Sequence, residues 1–179
     1  MSQISRLVPF VDTYDVEWEG KHWRGVVNPW GVAIASEVEM AEFLYGFVRV
    51  LKPLLVIETG CHIGTTTQAL AQALADNQRG SLLACDPDPA FVAEALKRVV
   101  GLPVEIRHCK SADLPIERCD FLYSDSSEDA RVEELGRLKS GAVAVVHDTR
   151  LIPRLAAAAE EFSERVLIET ARGFAIVRA

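Results

Sequence analysis

From Leu54 onward, short, largely apolar runs alternate with longer runs whose apolar residues recur at helical spacing. "LLVIE" (Leu54–Glu58), "SLLACD" (Ser81–Asp86), "PVEIRH" (Pro103–His108), "CDFLYSD" (Cys119–Asp125) and "GAVAVVHD" (Gly141–Asp148) predict five strands. Several are apolar at nearly every position, the pattern of strands covered on both faces. Between them, Thr65–Ala75 predicts a helix with Leu70 and Leu74 on one side, and Asp88 with Pro89 supplies an N-cap and first helical residue for the next. Ser126 or Ser127 can cap a helix carrying Val132, Leu135 and Leu138, and Pro153–Phe162 has helical character. Strand and helix alternating over short loops predict a doubly wound α/β fold around a parallel sheet.

The C-terminus breaks that rhythm. "RVLIET" and "FAIVRA" are β-runs joined only by "ARG", a spacing that permits a hairpin and excludes a crossover helix. The last strand should therefore run antiparallel, in a mostly parallel sheet of seven strands. Ahead of the core, "YDVEWEGKHWRGVV" predicts a hairpin, with Tyr14, Val16 and Trp18 on one face. "SEVEMAEFLYGFVRVL" predicts a helix opened by a capping box of Ser36 and Glu39. Trp18, Trp23 and Trp30 cluster in this region, as an interface or sheet-edge cover or as a lid over an acceptor pocket. At 179 residues the chain is expected to form a single domain: an N-terminal hairpin, lid or dimer segment (1–35) and a core (36–179).

Composition narrows the partners. The formal net charge of -7 argues against nucleic acid, whose backbone is held by clustered Lys and Arg. Cys61, Cys85, Cys109 and Cys119 show neither CxxC pairing nor zinc spacing, which predicts reduced, mostly buried thiols. "LVPFV" is shorter than the ~7–15 apolar residues of an export signal, and no run approaches the ~20 of a membrane span. The expectation is a cytoplasmic protein with no membrane partner.

The chemistry concentrates in "LLVIETGCHIGTTTQAL". Gly60 and Gly64 allow a sharp turn, and the following helix offers free N–H groups to an anion. Asp86, ending the next strand, stands where an acid can accept both hydroxyls of a ribose. A dinucleotide and an adenosyl-amino acid both satisfy those features. Three others separate them: the spacing is G-x-x-x-G rather than G-x-G-x-x-G, Glu58 would repel a pyrophosphate yet attract an amino group, and the terminal hairpin is foreign to the usual dinucleotide fold.

Together these resemble the class I S-adenosylmethionine-dependent methyltransferases, whose Rossmann-like sheet ends in an antiparallel seventh strand. Their E-x-G-x-x-x-G motif is matched by Glu58, Gly60 and Gly64, and the resemblance spans roughly Ser36 to Ala179. "CDFLYSD" and "SGAVAVVHDT" are similar to motifs of the small-molecule O-methyltransferase branch. The resemblance implies that Gly60, Cys61 and Gly64 wrap the methionyl part of the cofactor, with Glu58 supporting the loop. It implies that Asp86 holds the ribose beside Pro87 and Asp88, that Ser111 and Ala112 edge the adenine with Asp113 nearby, and that Asp125 sits near the sulfonium and a small-molecule acceptor. For Asp88, Ser111 and Asp113, turn and capping roles explain the residues equally well.

Candidate bases are Asp125, His147 and Asp148, at the ends of neighbouring strands; His62 and His108 are weaker ones. Metal-dependent relatives bind magnesium through an Asp and an Asp-Asn pair. Here Asp125 and Asp148 match, Thr149 replaces Asn, and "DSSED" lacks the lysine base. Magnesium dependence therefore stays open at this point, with Asp125, Asp148 and Thr149 as the candidate ligand set. The alternatives to a methyltransferase, which could be a homodimer, are a catalytically silent module with the same fold and a nicotinamide-dependent oxidoreductase.

Overall fold

A computed structural model describes residues 13–18, 20–26 and 36–179. A hairpin of β1 (Thr13–Trp18) and β2 (Lys21–Val26) precedes α1 (Val38–Leu51). Then follow β3 (Leu55–Thr59), α2 (Thr65–Asn77), β4 (Ser81–Asp86), α3 (Pro89–Arg98), β5 (Val104–His108) and β6 (Phe121–Ser124). The chain continues through α4 (Glu128–Gly136), β7 (Val143–His147), α5 (Pro153–Glu160), β8 (Glu164–Ile168) and β9 (Phe174–Arg178). Seven strands of the described residues form one sheet in the order β5-β4-β3-β6-β7-β9-β8. The first five are parallel, and β9 pairs antiparallel with both β7 and β8. This is the expected Rossmann-like sheet with its C-terminal hairpin.

The continuous apolarity of the strands has its counterpart in two cores. Val56, Leu82, Ala84, Phe121, Tyr123 and Val145 face α1 and α2 on one side. Their neighbours Ile57, Leu83, Cys85, Leu122, Ala144 and Val146 face Leu135 of α4 and Leu155 of α5 on the other. Successive side chains of a strand point to opposite faces, so both sets must be apolar when helices cover both. The order reverses at β3, whose neighbours β4 and β6 depart in opposite directions. Their C-terminal ends splay there and leave a crevice.

Of the predicted caps, Asp88 accepts the N–H of Ala90 at the start of α3, with Pro89 at the first helical position. The capping box at Ser36 does not form. Helix α1 begins at Val38, its cap residue Glu37 makes no side-chain cap bond, and Glu39 pairs with Arg24 of β2 instead. The Ser36 hydroxyl is drawn away by a stronger acceptor, donating to Asp125 Oδ2 at 2.8 Å. Ser127 is the cap residue of α4, without a side-chain bond. Trp23 is half-buried on β2; Trp30 and the Trp18 and Tyr14 side chains lie outside the described residues, and with them the proposed aromatic cluster. No described helix is long and apolar enough to cross a membrane.

Gly64 has φ +84°, and a Cβ there would lie 2.8 Å from Ala95 Cα and 2.9 Å from Ala95 Cβ on α3. Its bareness thus serves helix-to-helix approach. Gly64→Ala combines left-handed strain with a backbone clash, and should cost about 2–4 kcal/mol in urea denaturation. Wild-type stability in this variant would show that α2 and α3 are not in such close contact.

Candidate active site

The crevice beyond β3, β4 and β6 encloses about 620 Å³. Its floor is the turn after β3. The N–H groups of Gly60 and Cys61 both donate to Cys85 O, at 2.9 and 3.0 Å, hooking the turn over the end of β4. Asp86 fastens the other side, accepting from His62 N at Oδ2 and from Asp88 N at Oδ1, each at 2.9 Å. Gly60 has φ +77°, and a Cβ would lie 2.3 Å from the carbonyl oxygen of Asp125. The first glycine therefore lets β3 and β6 close together at the crevice; the second, as above, packs α2 against α3 and does not line it.

Glu58 lies beneath the turn, fully buried, and accepts from the Thr66 hydroxyl at Oε1. Its Oε2 has no aligned hydrogen-bond partner among the described residues. Burial raises this carboxyl to about 7, and the nearby hydroxyls of Thr66 and then Thr67 offset only part of that. Helix α2 starts above it, and its first-turn N–H groups have no intrahelical acceptor. Thr65 lines the crevice there, and its buried Oγ1 lacks a partner among the described residues. Burial also drives the Cys61 thiol far above its ordinary value, so it is inert.

The far wall is charged. Asp125 follows β6, and Asp148 follows β7 in the left-handed conformation, φ +65°. Asp125 Oδ2 accepts from Ser36 and, at 3.2 Å, from the Tyr123 hydroxyl. Arg172, in the link of the terminal hairpin, donates from Nε to Asp148 Oδ1 at 2.7 Å and from Nη2 to Oδ2 at 2.9 Å, a bidentate pair. Arg131 of α4 spans the two acids, Nη2 lying 3.1 Å from Asp125 Oδ1 and Nη1 3.3 Å from Asp148 Oδ2. The helix is itself held by Glu134, one turn on, which accepts from the hydroxyls of Thr59, Ser124 and Ser126.

His147 is turned inward. It has no exposed surface and does not line the crevice. Its Nδ1 lies 3.3 Å from Asp125 Oδ1 and its Nε2 2.8 Å from Glu37 Oε2, close ion-pair distances without hydrogen-bond alignment. Burial works against a charged imidazole, but Asp125, then Glu37 and Asp148, raise it to about 10. Burial likewise opposes the Asp125 carboxylate, yet His147, Arg131 and Arg172 hold it well below the usual range. At neutral pH His147 is a buried imidazolium and cannot accept a proton.

Of the other predicted residues, Pro87, Ser111 and Ala112 line the crevice with Asp86, Gly60, Cys61 and Asp125. Asp88 and Asp113 do not; Asp88 caps α3. Thr149 also lies off the crevice, its N–H donating to Gly173 O at 3.2 Å. His62 lines it, its ring against Phe91 with centroids 4.0 Å apart, while His108 Nε2 contacts Pro87 O at 3.0 Å. Reading the sequence missed Glu37, Arg131, Glu134 and Arg172. Only the polar face of "EDARVEELG" hinted at any of them, because their partners are distant in the chain.

A family profile described as "Methyltransferase domain" matches residues 57–149, just over half of the chain. Among solved structures, cofactor-bound Rv0187 from MTB is 20% identical with a TM-score of 0.68, covering 82% of this chain and 82% of that one. The O-methyltransferase TomG from Streptomyces achromogenes, involved in tomaymycin synthesis and solved with SAM, is 18% identical with a TM-score of 0.67, covering 83% and 82%. The SAH-bound methyltransferase PaMTH1 of Podospora anserina is 14% identical with a TM-score of 0.67, covering 82% and 80%. No curated protein matches significantly.

An imidazole that binds its proton more tightly when folded stabilises the fold fully below its unfolded value of 6.5, and that contribution fades as pH rises through about 10. Folding stability should therefore fall between pH 6.5 and 9, and His147→Gln should flatten the slope. Denaturant titrations at several pH values measure this, and an equal slope in a cooperatively folding variant would mean that His147 is neutral.

Proposed function

The chain belongs to the methyltransferase domain family, and from that premise we propose that it transfers a methyl group from S-adenosylmethionine to an oxygen of a small molecule. The observation that carries this reading is the joint placement of Asp86 and the Gly60 turn on one crevice at the reversal of strand order. Each Asp86 oxygen accepts one backbone N–H and retains a lone pair for a ribose hydroxyl. Ser111 and Ala112 form the wall where an adenine edge would rest. Thr65 Oγ1, without a partner among the described residues, and the opening N–H groups of α2 suit the polar amino-acid end. The residues present fit the cofactor.

S-adenosylmethionine supplies an electrophilic methyl group on a sulfonium. What the chain must add is chiefly alignment, which can supply up to ~7–11 kcal/mol of rate enhancement. A general base typically adds less, ~10²–10⁴-fold. That hierarchy suits this site, where Asp125 and Asp148 are committed to arginines and His147 already carries its proton. Oxygen as the acceptor atom is supported by the motifs ending β6 and β7 and by the likeness to TomG.

Asp86→Ala should weaken S-adenosylmethionine binding by about 1.5–3 kcal/mol, the worth of hydrogen bonds to a charged acceptor. Calorimetry measures it, with circular dichroism to verify folding. Undiminished affinity in the folded variant would place the ribose elsewhere.

A further inference from the structure

We propose that the Arg131 guanidinium takes the place of a divalent metal in this site, and that it meets the reacting oxygen of the methyl acceptor. The proposal rests on the methyltransferase reading for the identity of the reaction, but not for the geometry. By residue type the end of the sheet looks like a cation site, since donor atoms of Asp125, His147 and Asp148 lie within 4.8 Å of one another. A divalent ion needs their lone pairs converging on one open point. Here they converge on side-chain cations. Arg131 bridges Asp125 and Asp148, Arg172 occupies both oxygens of Asp148, and His147 faces Asp125 and Glu37. A metal would have to displace a guanidinium from between two acids, and the third predicted ligand, Thr149, does not line the crevice. The ligand set does not fit a metal.

Arg131 is placed to act itself. Its Nε donates to Ser126 O at 2.6 Å and its Nη1 to His147 O at 2.9 Å, so the plane of the guanidinium is fixed by backbone on both sides. Its side chain is 8% exposed and lines the crevice beside Asp125. Among the described residues Nη2 contacts Asp125 alone, and one of its two N–H groups is left for another oxygen. A fixed cation in a sheltered crevice stabilises an anionic oxygen and lowers the pKa of a hydroxyl bound against it, the hydroxyl's proton passing to water. Arginine cannot itself become the base. The acceptor class that follows is a carboxylate or an acidic hydroxyl such as a phenol, rather than an aliphatic alcohol.

The test uses the full chain and two probes. Mn²⁺ titrated at millimolar concentration and followed by EPR should show no bound ion in the wild type, because both acids are taken by side-chain cations. Stoichiometric Mn²⁺ on the wild type that Asp148→Asn removes would overturn the proposal. In the second arm, 4-nitrophenol with saturating S-adenosylhomocysteine should bind as the phenolate, its apparent pKa lowered by a unit or more in the wild type and unshifted in Arg131→Gln. No phenolate signal in the wild type, or an equal one in the variant, refutes contact with the acceptor oxygen. Calorimetry with S-adenosylhomocysteine separates the two levels: absence of binding defeats the cofactor reading, while the Mn²⁺ result still decides whether Arg131 excludes a metal.

Discussion

The structure turns on a buried, mutually neutralising group of charges at the ends of β6 and β7. Three acids, Glu37, Asp125 and Asp148, meet three cations, Arg131, Arg172 and His147, all within a few ångströms and with little exposed surface. No member is tolerable alone, because a buried unpaired charge costs several kcal/mol. The six come from five regions: the start of α1, the ends of β6 and β7, helix α4 and the terminal hairpin link. Their common requirement draws those regions together and sets the far wall of the crevice.

The near wall follows from a different constraint. Backbone from the β3 turn must reach Cys85 O and pass against the Asp125 carbonyl, which only a residue without Cβ permits at Gly60. Asp86 then ties the turn and the start of α3 through two N–H groups. A single carboxylate thus shapes the floor while still facing the crevice, so the same residue is architectural and available to a ligand. The site is made by neutralising what is buried on one side and sparing lone pairs on the other.

Much of this was legible in the chain. Strands buried on both faces announce themselves by unbroken apolarity, and a three-residue link between two β-runs admits only an antiparallel pair. Asp86 was legible because an acid ending an apolar strand requires a partner. Gly60 and Gly64 were legible as glycines but not in their separate duties, since what each approaches, Asp125 or Ala95, is distant in sequence. Ser36 is the clearest misreading. Its local pattern with Glu39 fits a helix cap, but a buried carboxylate from β6 competes for the same hydroxyl and wins. His147 is misread for a related reason: its strand-end position suggests a base, and its orientation toward Asp125 and Glu37 makes it a fixed cation.

By itself, then, the sequence determined the order of elements, the direction of each strand, the glycine turn and the acid beside it, because these depend on local periodicity and on backbone conformations that few residues permit. Only the tertiary structure decided which charges pair. Arg131 lies 17 residues from Asp148, and Arg172 lies 24 from it. Electrostatic partnership depends on distance through space and on burial, neither of which is written in the spacing of residues along the chain.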